Sequence, residues 1–146
     1  MLPFRIVYHP EYDLDLGPHV FPSQKFKMIH DALLAEGIAE AADFVQPEAA
    51  SDEDVLRVHT PAWIRKLQTD SLTLSERMKL EIPVSEATIR AFWLAAGGST
   101  LAGRHALRDG FSANLGGGFH HAYPGHGEGF CMLHDVAIAI RRVRSH

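Results

Sequence analysis

The sequence has a single cysteine, no long apolar run and no surplus of basic residues, and each absence excludes a class of protein. One cysteine cannot form an internal disulfide, as expected in a reducing compartment. No stretch approaches the ~18 apolar residues of a membrane span, and the amino terminus lacks the basic start and apolar run of a secretory signal. A net charge of −4 does not favour binding to nucleic acids or acidic lipids. These features predict a cytoplasmic protein without direct nucleic-acid or membrane contacts.

What the sequence does have is enough apolar residues for one core, and many histidines. The 146 residues are 46% hydrophobic, which suits a single domain. Ten residues are histidines, and three of them lie within "GGGFHHAYPGHGEGFC", residues 116–131. This stretch also holds a glutamate and the only cysteine. It therefore concentrates side chains that can transfer protons or bind metals.

Apolar periodicity and capping residues predict that strands and helices alternate along the chain. Strands are predicted at 4–9, 43–47 and 111–118. Helices are predicted from Ser23 to Gly37, after Ser51, at Thr60–Pro61, from Ser85 to Gly110 and from 135 to 146, while residues 68–82 show no clear pattern. This order implies an α/β fold with a mainly parallel sheet.

Apolar residues within the helices predict which faces are buried. The predicted inward positions are Phe26, Ile29, Leu33 and Leu34 in the first helix, Ile89, Phe92, Trp93, Ala96, Thr100 and Leu107 in the longest, and Val136, Ile140 and Val143 in the last. Glycines 97, 98 and 103 lower the helix propensity of the longest helix. They therefore predict that another element approaches this helix closely.

The last predicted helix runs to His146 without a capping glycine, a turn or a further strand. In a parallel α/β fold a helix normally returns the chain to another strand. Three strands also make a thin sheet for this many helices. We therefore expect residues 1–146 to be an incomplete part of one domain.

Two adjacent histidines, His120 and His121, follow the third predicted strand. This places them at the carboxyl end of a strand that we expect to be central, where open α/β sheets bind their ligands. Successive residues of a strand face opposite sides, so both side chains share one site only if the backbone is irregular there. The glycines at 116–118 supply that freedom.

Three interpretations of this stretch fit its residue types. The first is a loop that happens to be rich in histidine. The second is an acid–base pair of imidazoles, one accepting a proton and the other cationic or orienting. The third is a metal site, with residue types that suit zinc or iron but a spacing that matches no short-range zinc pattern. Its ligands would come from His120, His121, His126, Glu128, Cys131 and His134. Spacing alone leaves all three open.

The longer phrase "NLGGGFHHAYPGHGEGFCMLHDVAIAI", residues 114–140, resembles the zinc-dependent deacetylase family. This family includes histone deacetylases, acetylpolyamine amidohydrolases and acetoin-utilization proteins. "YHPEYDLDLGPHVFPSQKF", "RVHTPAWIRKL" and "GGSTLAGRHAL" resemble other segments of the same family, especially its bacterial and class IV-like branch. The resemblance implies a three-layer arginase/deacetylase-like α/β fold, of which residues 1–146 would be the N-terminal part of a single deacetylase domain.

The resemblance also implies a chemistry, the zinc-dependent hydrolysis of an N-acetyl amide on lysine or a polyamine. His120 matches the family histidine that gives electrostatic support and handles protons, and His121 matches the general base. Gly129 and Phe130 match the lining of the acyl-lysine tunnel, and Cys131 follows in the same wall. The family's zinc ligands, an Asp-x-His and a later Asp, are expected beyond residue 146, so no metal ligand is assigned within this chain.

Two functions follow from the resemblance. In the first, a longer protein is a zinc deacetylase that acts on acetylated lysine or a small acetylated amine, and the 146-residue chain alone is inactive. In the alternative, the chain is a catalytically dead remnant that serves as a binding or assembly module. His126 and Glu128 are expected at the rim, and His134 stands where the family pattern has asparagine. The acidic substrate-gripping loop of the eukaryotic enzymes has no clear match, which leaves the substrate class open.

Overall fold

Three short parallel strands form the sheet. The computed structural model describes residues 1–145, so the predicted end of the last helix at His146 lies outside the described residues. β1 (Arg5–Val7) lies between β2 (Phe44–Val45) and β3 (Ser112–Asn114). Both pairings are parallel. The predicted α/β class with a parallel sheet is therefore confirmed.

β3 is an edge strand among the described residues, although its small and apolar residues predicted a central strand. Ile6 of β1 pairs with Phe44 on one side and with Ala113 on the other, so β1 occupies the centre. The pairing of β3 ends at Asn114 rather than at residue 118. The chain leaves the sheet there because it enters a run of glycines, of which Gly118 has a φ of +94°.

Six α-helices lie within residues 1–145. They are α1 (Lys25–Ala35), α2 (Asp52–Val55), α3 (Pro61–Gln68), α4 (Leu74–Leu80), α5 (Glu86–Asp109) and α6 (Asp135–Val143). Short 3-10 turns occupy Pro10–Tyr12 and Ala41–Asp43. Within the part of the chain described, no helix combines the length and the apolar character that a membrane span would need.

Three helices begin at their predicted caps. The side chains of Ser51, Thr60 and Ser85 accept hydrogen bonds from the backbone N–H groups three residues later. α5 ends as predicted at Gly110, whose φ of +85° suits glycine. These ends are specified locally, since each cap satisfies N–H groups of its own first turn.

Two local features differ from the sequence prediction. Ser23 does not cap α1, because its hydroxyl donates to Asp13 and accepts from the N–H of Leu14. α4 lies in the segment that showed no clear pattern. It begins with a capping box in which Thr73 and Glu76 satisfy each other's backbone N–H groups.

α5 packs along α6 and against β1 and β3, so it forms the centre of the described fold. A Cβ atom at Gly97 would lie 1.9 Å from the Glu48 carbonyl oxygen, and one at Gly98 would lie 2.1 Å from the Tyr12 hydroxyl. At Gly103 it would lie 3.3 Å from Val143. The predicted close approach at all three glycines is confirmed.

Several residues predicted to face inward are exposed instead. Ile29 of α1, Leu107 of α5, and Val136 and Ile140 of α6 are all exposed. α6 buries Ile138 and Ala139, so its apolar side is broader than its buried side. The exposed residues of α5 and α6 line an apolar groove of about 520 Å³.

Candidate functional site

The four residues predicted for the site line one cavity of about 310 Å³. We call the lining residues 117–121, which include His120 and His121, the histidine wall. We call Gly129, Phe130 and Phe21 the aromatic wall. The remaining lining residues are Lys25, Phe26 and Cys131. Residues from the amino-terminal quarter of the chain thus meet the histidine-rich stretch at one site.

The glycines after β3 are required because the backbone of the histidine wall runs against other side chains. A Cβ atom at Gly116 would lie 2.2 Å from the ring of Tyr12. At Gly117 it would lie 2.6 Å from Ser99 Oγ and 2.7 Å from Asp135 Oδ2. A side chain at either position would require these neighbouring side chains to shift, so glycine is favoured at both.

A buried carboxylate holds the backbone of the histidine wall. Asp135, the first residue of α6, is fully buried. Its Oδ2 accepts the N–H of Gly118 at 2.9 Å, and its Oδ1 accepts the N–H of Phe119 at 2.7 Å. The Ser99 hydroxyl donates to the same carboxylate. These charge-assisted bonds fix the backbone immediately before His120.

The anchoring network continues through β3 to the amino-terminal segment. Asn114 donates from Nδ2 to Ser99 Oγ at 3.1 Å and to the Ala95 carbonyl at 3.2 Å. Its Oδ1 accepts the Tyr12 hydroxyl at 2.9 Å. Burial raises the pKa of Tyr12, so this hydroxyl stays protonated as a donor. Sequence analysis did not predict this network, although Asp135 lies within the quoted phrase and opens the last predicted helix.

The two imidazoles of the histidine pair lie side by side. Their ring centroids are 4.2 Å apart and their planes are tilted by 41°. Both residues are exposed at the cavity. His120 Nδ1 lies 3.0 Å from the Gly118 carbonyl oxygen, and because a carbonyl only accepts, this nitrogen carries a proton. The two imidazoles therefore present their rings together at one cavity.

The aromatic wall is shaped by an unusual backbone conformation. Gly129 and Phe130 both have positive φ values, +52° and +68°. The end of α4 holds them there, since their N–H groups donate to the carbonyls of Lys79 and Leu80. A Cβ atom at Gly129 would lie 3.4 Å from His121 Cγ, so the two walls meet at this glycine. Outside glycine such backbone is uncommon and persists where surrounding contacts impose it.

The ring of Phe130 is held by aromatic contacts with the amino-terminal segment. Its centroid lies 5.4 Å from that of His19, edge to face, and 5.9 Å from that of Phe21. His19 Nε2 in turn lies 2.8 Å from the Glu81 carbonyl oxygen. Sequence analysis assigned His19 no role in the site, and the structure places its ring against that of Phe130.

The other candidates of the histidine-rich stretch lie outside this cavity or serve its packing. His126 Nε2 lies 3.1 Å from Glu128 Oε2, and its ring stacks on Tyr123, while neither His126 nor Glu128 lines the cavity. Cys131 lines it but is buried, and burial raises the pKa of its thiol. This cysteine therefore contributes to the wall and lacks the lowered pKa of a nucleophile.

His134 and His59 join α6 to the start of α3. His134 caps α6 by accepting the N–H of Ala137 at 3.3 Å. Its own N–H donates to Nε2 of the buried His59 at 3.0 Å. Across residues 1–145, no group of three or more histidine, cysteine, aspartate or glutamate side chains is placed to hold a metal ion. The six residues considered for a metal site are therefore divided between separate contacts.

Comparisons with known proteins place this geometry in context. The sequence pattern of the histone deacetylase domain matches residues 19–146. An uncharacterized protein of Picosynechococcus sp. is 34% identical over 142 residues, which cover 97% of this chain and 47% of that protein. Histone deacetylase 2 of Arabidopsis thaliana is 30% identical over 146 residues, covering 92% of this chain and 38% of that protein.

The fold has a counterpart among solved structures. An HDAC homolog from Aquifex aeolicus superposes with a TM-score of 0.76 at 24% identity, over 97% of this chain and 41% of that one. The predicted deacetylase-like fold is therefore confirmed. The chain spans less than half the length of the relatives it matches.

Proposed function

The chain belongs to the histone deacetylase family, and we propose that it carries the histidine pair and part of the substrate tunnel of a deacetylase. The whole protein would hydrolyse an N-acetyl amide of lysine or of a small amine. One observation supports this most strongly: His120, His121, Gly129 and Phe130 line a single cavity of about 310 Å³. Such a cavity gives a proton-transferring pair and an apolar wall access to the same bound molecule.

In this proposal His121 is the general base. It takes a proton from the attacking water as the oxygen bonds to the acetyl carbon, and it returns a proton to the nitrogen as the C–N bond breaks. The products are acetate and the free amine. His120 supports the charge that develops beside it. The 4.2 Å separation of the ring centroids supports this division, because both imidazoles reach the same bound molecule while only one of them has to take the proton.

The aromatic wall suits the stem of an acylated lysine. Phe130 and Phe21 present ring surface to the cavity beside Gly129, which leaves open the space that a side chain would fill. An apolar methylene chain that packs there loses contact with water, at roughly 0.8 kcal/mol per buried CH₂. We propose that this packing aligns the amide with the histidine pair.

Zinc is the cofactor that family membership implies, and the described residues do not fit it, since no group of three or more possible ligands in residues 1–145 is placed to hold a metal ion. We therefore assign proton transfer and substrate contact to this chain. We propose that the zinc ligands lie outside residues 1–146 and that this chain alone is inactive.

The test is the release of acetate from an acetyl-lysine peptide and from an acetylated polyamine by the protein that contains this chain. We expect His121→Ala to lower kcat by about 10²- to 10⁴-fold, the range of general-base catalysis. His126→Ala is the matched control, because His126 lies in the same stretch but does not line the cavity. Unchanged turnover in His121→Ala would contradict the proposed role.

The alternative, a dead remnant that binds or assembles with other proteins, predicts a different result. The wild-type protein would then release no acetate, even when supplied with zinc. Zinc-dependent hydrolysis by residues 1–146 alone would contradict both proposals, because neither gives this chain a zinc site.

A further inference from the structure

A lysine side chain lies at the cavity that holds the histidine pair. Lys25, the first residue of α1, lines the cavity with His121 and Phe130. Its Nζ lies 4.8 Å from the ring centroid of Phe21 and 5.4 Å from that of Phe26. Both distances are within the range of cation–π attraction. The ammonium group is therefore held on the aromatic side of the cavity.

This positive charge has no carboxylate partner among residues 1–145. Lys25 Nζ forms no ion pair with a described residue, and no aspartate or glutamate lines the described cavity. By contrast, Lys27 of the same helix pairs with Asp31. The first turn of α1 also has no acidic residue, and Gln24 makes no side-chain cap, so the positive end of the helix dipole adds to the field.

We propose that Lys25 selects substrates that carry a carboxylate close to the amide that is cleaved. The inference rests on the proposed deacetylase function and adds to it the charge of the substrate. A carboxylate beside the amide gains an ion pair with Lys25, whereas the ammonium groups of an acetylated polyamine are repelled. The carboxylate comes either from the carrier, as in an acidic peptide, or from the acyl group itself.

The experiment compares kcat/KM for matched peptides that contain one acetyl-lysine flanked by glutamate, by glutamine or by lysine. A second arm keeps the glutamine peptide and replaces the acetyl group with a succinyl group. The variants are Lys25→Met, which keeps the length of the side chain, and Lys25→Glu, which reverses its charge. Lys27→Met is the control, since it removes a lysine of the same helix that does not line the cavity.

We expect the wild-type protein to prefer one of the carboxylate-bearing substrates over its neutral match by about two- to fivefold, as for an exposed ion pair. Preference in the peptide arm places the carboxylate on the carrier, and preference in the succinyl arm places it on the acyl group. Lys25→Met should remove the preference, Lys25→Glu should reverse it, and Lys27→Met should keep it. High salt should weaken it.

The inference is wrong if the wild-type protein shows no preference in either arm, or if Lys25→Met keeps the preference. Dissociation constants of the fluorescently labelled peptides, measured by anisotropy with the same variants, give the preference for a carboxylate-bearing peptide over its neutral match without requiring turnover. A protein that hydrolyses the peptides without regard to charge would overturn only this inference. A protein that binds them with the expected preference but never releases acetate would overturn only the proposed function.

Discussion

The histidine wall and the aromatic wall of the cavity are held in place by different interactions. The histidine wall is fixed by a buried carboxylate that accepts two backbone N–H groups and a hydroxyl. The aromatic wall is fixed by backbone bonds to the end of α4 and by ring contacts with Phe21 and His19. The first wall therefore depends on one buried carboxylate, and the second on two backbone hydrogen bonds together with ring packing that tolerates adjustment.

This difference predicts that the largest loss of stability follows from removing the carboxylate under the histidine wall. Asp135→Ala leaves the N–H groups of Gly118 and Phe119 without their buried acceptor. We expect the free energy of unfolding to fall by about 3 kcal/mol, since the N–H of Phe119 is buried, that of Gly118 is partly buried, and each unsatisfied buried group costs about 1–3 kcal/mol. Urea unfolding measures it. Asp31→Ala is the control, because Asp31 is an exposed helical residue that pairs with Lys27 and His30. Equal small losses in both variants would show that Asp135 does not anchor this wall.

A methyl group added to the same wall should cost less. In Gly117→Ala the new Cβ meets Ser99 and Asp135, which are held by their own hydrogen bonds. We expect a loss of about 1–3 kcal/mol in the free energy of unfolding, the usual cost of overpacking. Gly125→Ala is the matched control, since nothing lies within 4 Å of a Cβ there and its φ is not positive. If the two substitutions have the same effect on urea unfolding, the wall is not tightly packed.

On the aromatic wall we expect a change in binding more than in folding. Phe130→Ala removes the ring that would pack against the substrate stem, so KM for an acetyl-lysine peptide should rise roughly three- to tenfold. Turnover at saturation should change less. Phe111→Ala serves as the control, because its ring packs on Phe4 and does not line the cavity. A fall in kcat without a rise in KM would contradict this role of Phe130.

The smallest expected effect concerns the pH dependence of stability and involves the buried His59. Burial lowers the pKa of His59 by more than the backbone carbonyls of Pro124 and Tyr123 raise it. The unfolded chain therefore binds this proton more readily, so stability should be full above the ordinary histidine pKa and fall as the pH drops below it. Urea unfolding at several pH values should show a weaker slope in His59→Gln.

His105→Gln is the control for the pH effect assigned to His59. The pKa of His105 is also lowered, by partial burial and by the charge of Arg108, but this residue is less buried than His59. We expect its replacement to change the pH slope less. A steeper slope in His59→Gln than in the wild type would show that the sign assigned to His59 is wrong.

The sequence predicted those parts of the fold that are specified locally. The caps Ser51, Thr60 and Ser85 each bond within their own first turn, so their residue types are informative on their own. α4 carries an equally local signal, Thr73 with Glu76, which was missed because the helix has little apolar periodicity. Val136 and Ile140 were placed inward because periodicity indicates an apolar face without showing how much of it is covered.

The site was predictable only in part for a related reason. A resemblance spanning residues 114–140 identified residues on both walls, and the structure brings them to one cavity. The roles of Asp135, His19 and Lys25 depend instead on contacts with residues that are distant in the sequence. Asp135 bonds to residues 16 and 17 positions earlier, and Lys25 lies about a hundred residues before Phe130. No local pattern reports such contacts.

The central claim is that both walls enclose the place where an acetylated amine binds. Nuclear magnetic resonance spectra of the protein, labelled at its histidines and phenylalanines, test this most directly during titration with an acetyl-lysine peptide. We predict that the signals of His120, His121 and Phe130 shift together with one dissociation constant, while those of His126 and Phe111 stay in place. Shifts confined to residues outside the cavity, or none at saturating peptide, would contradict the account.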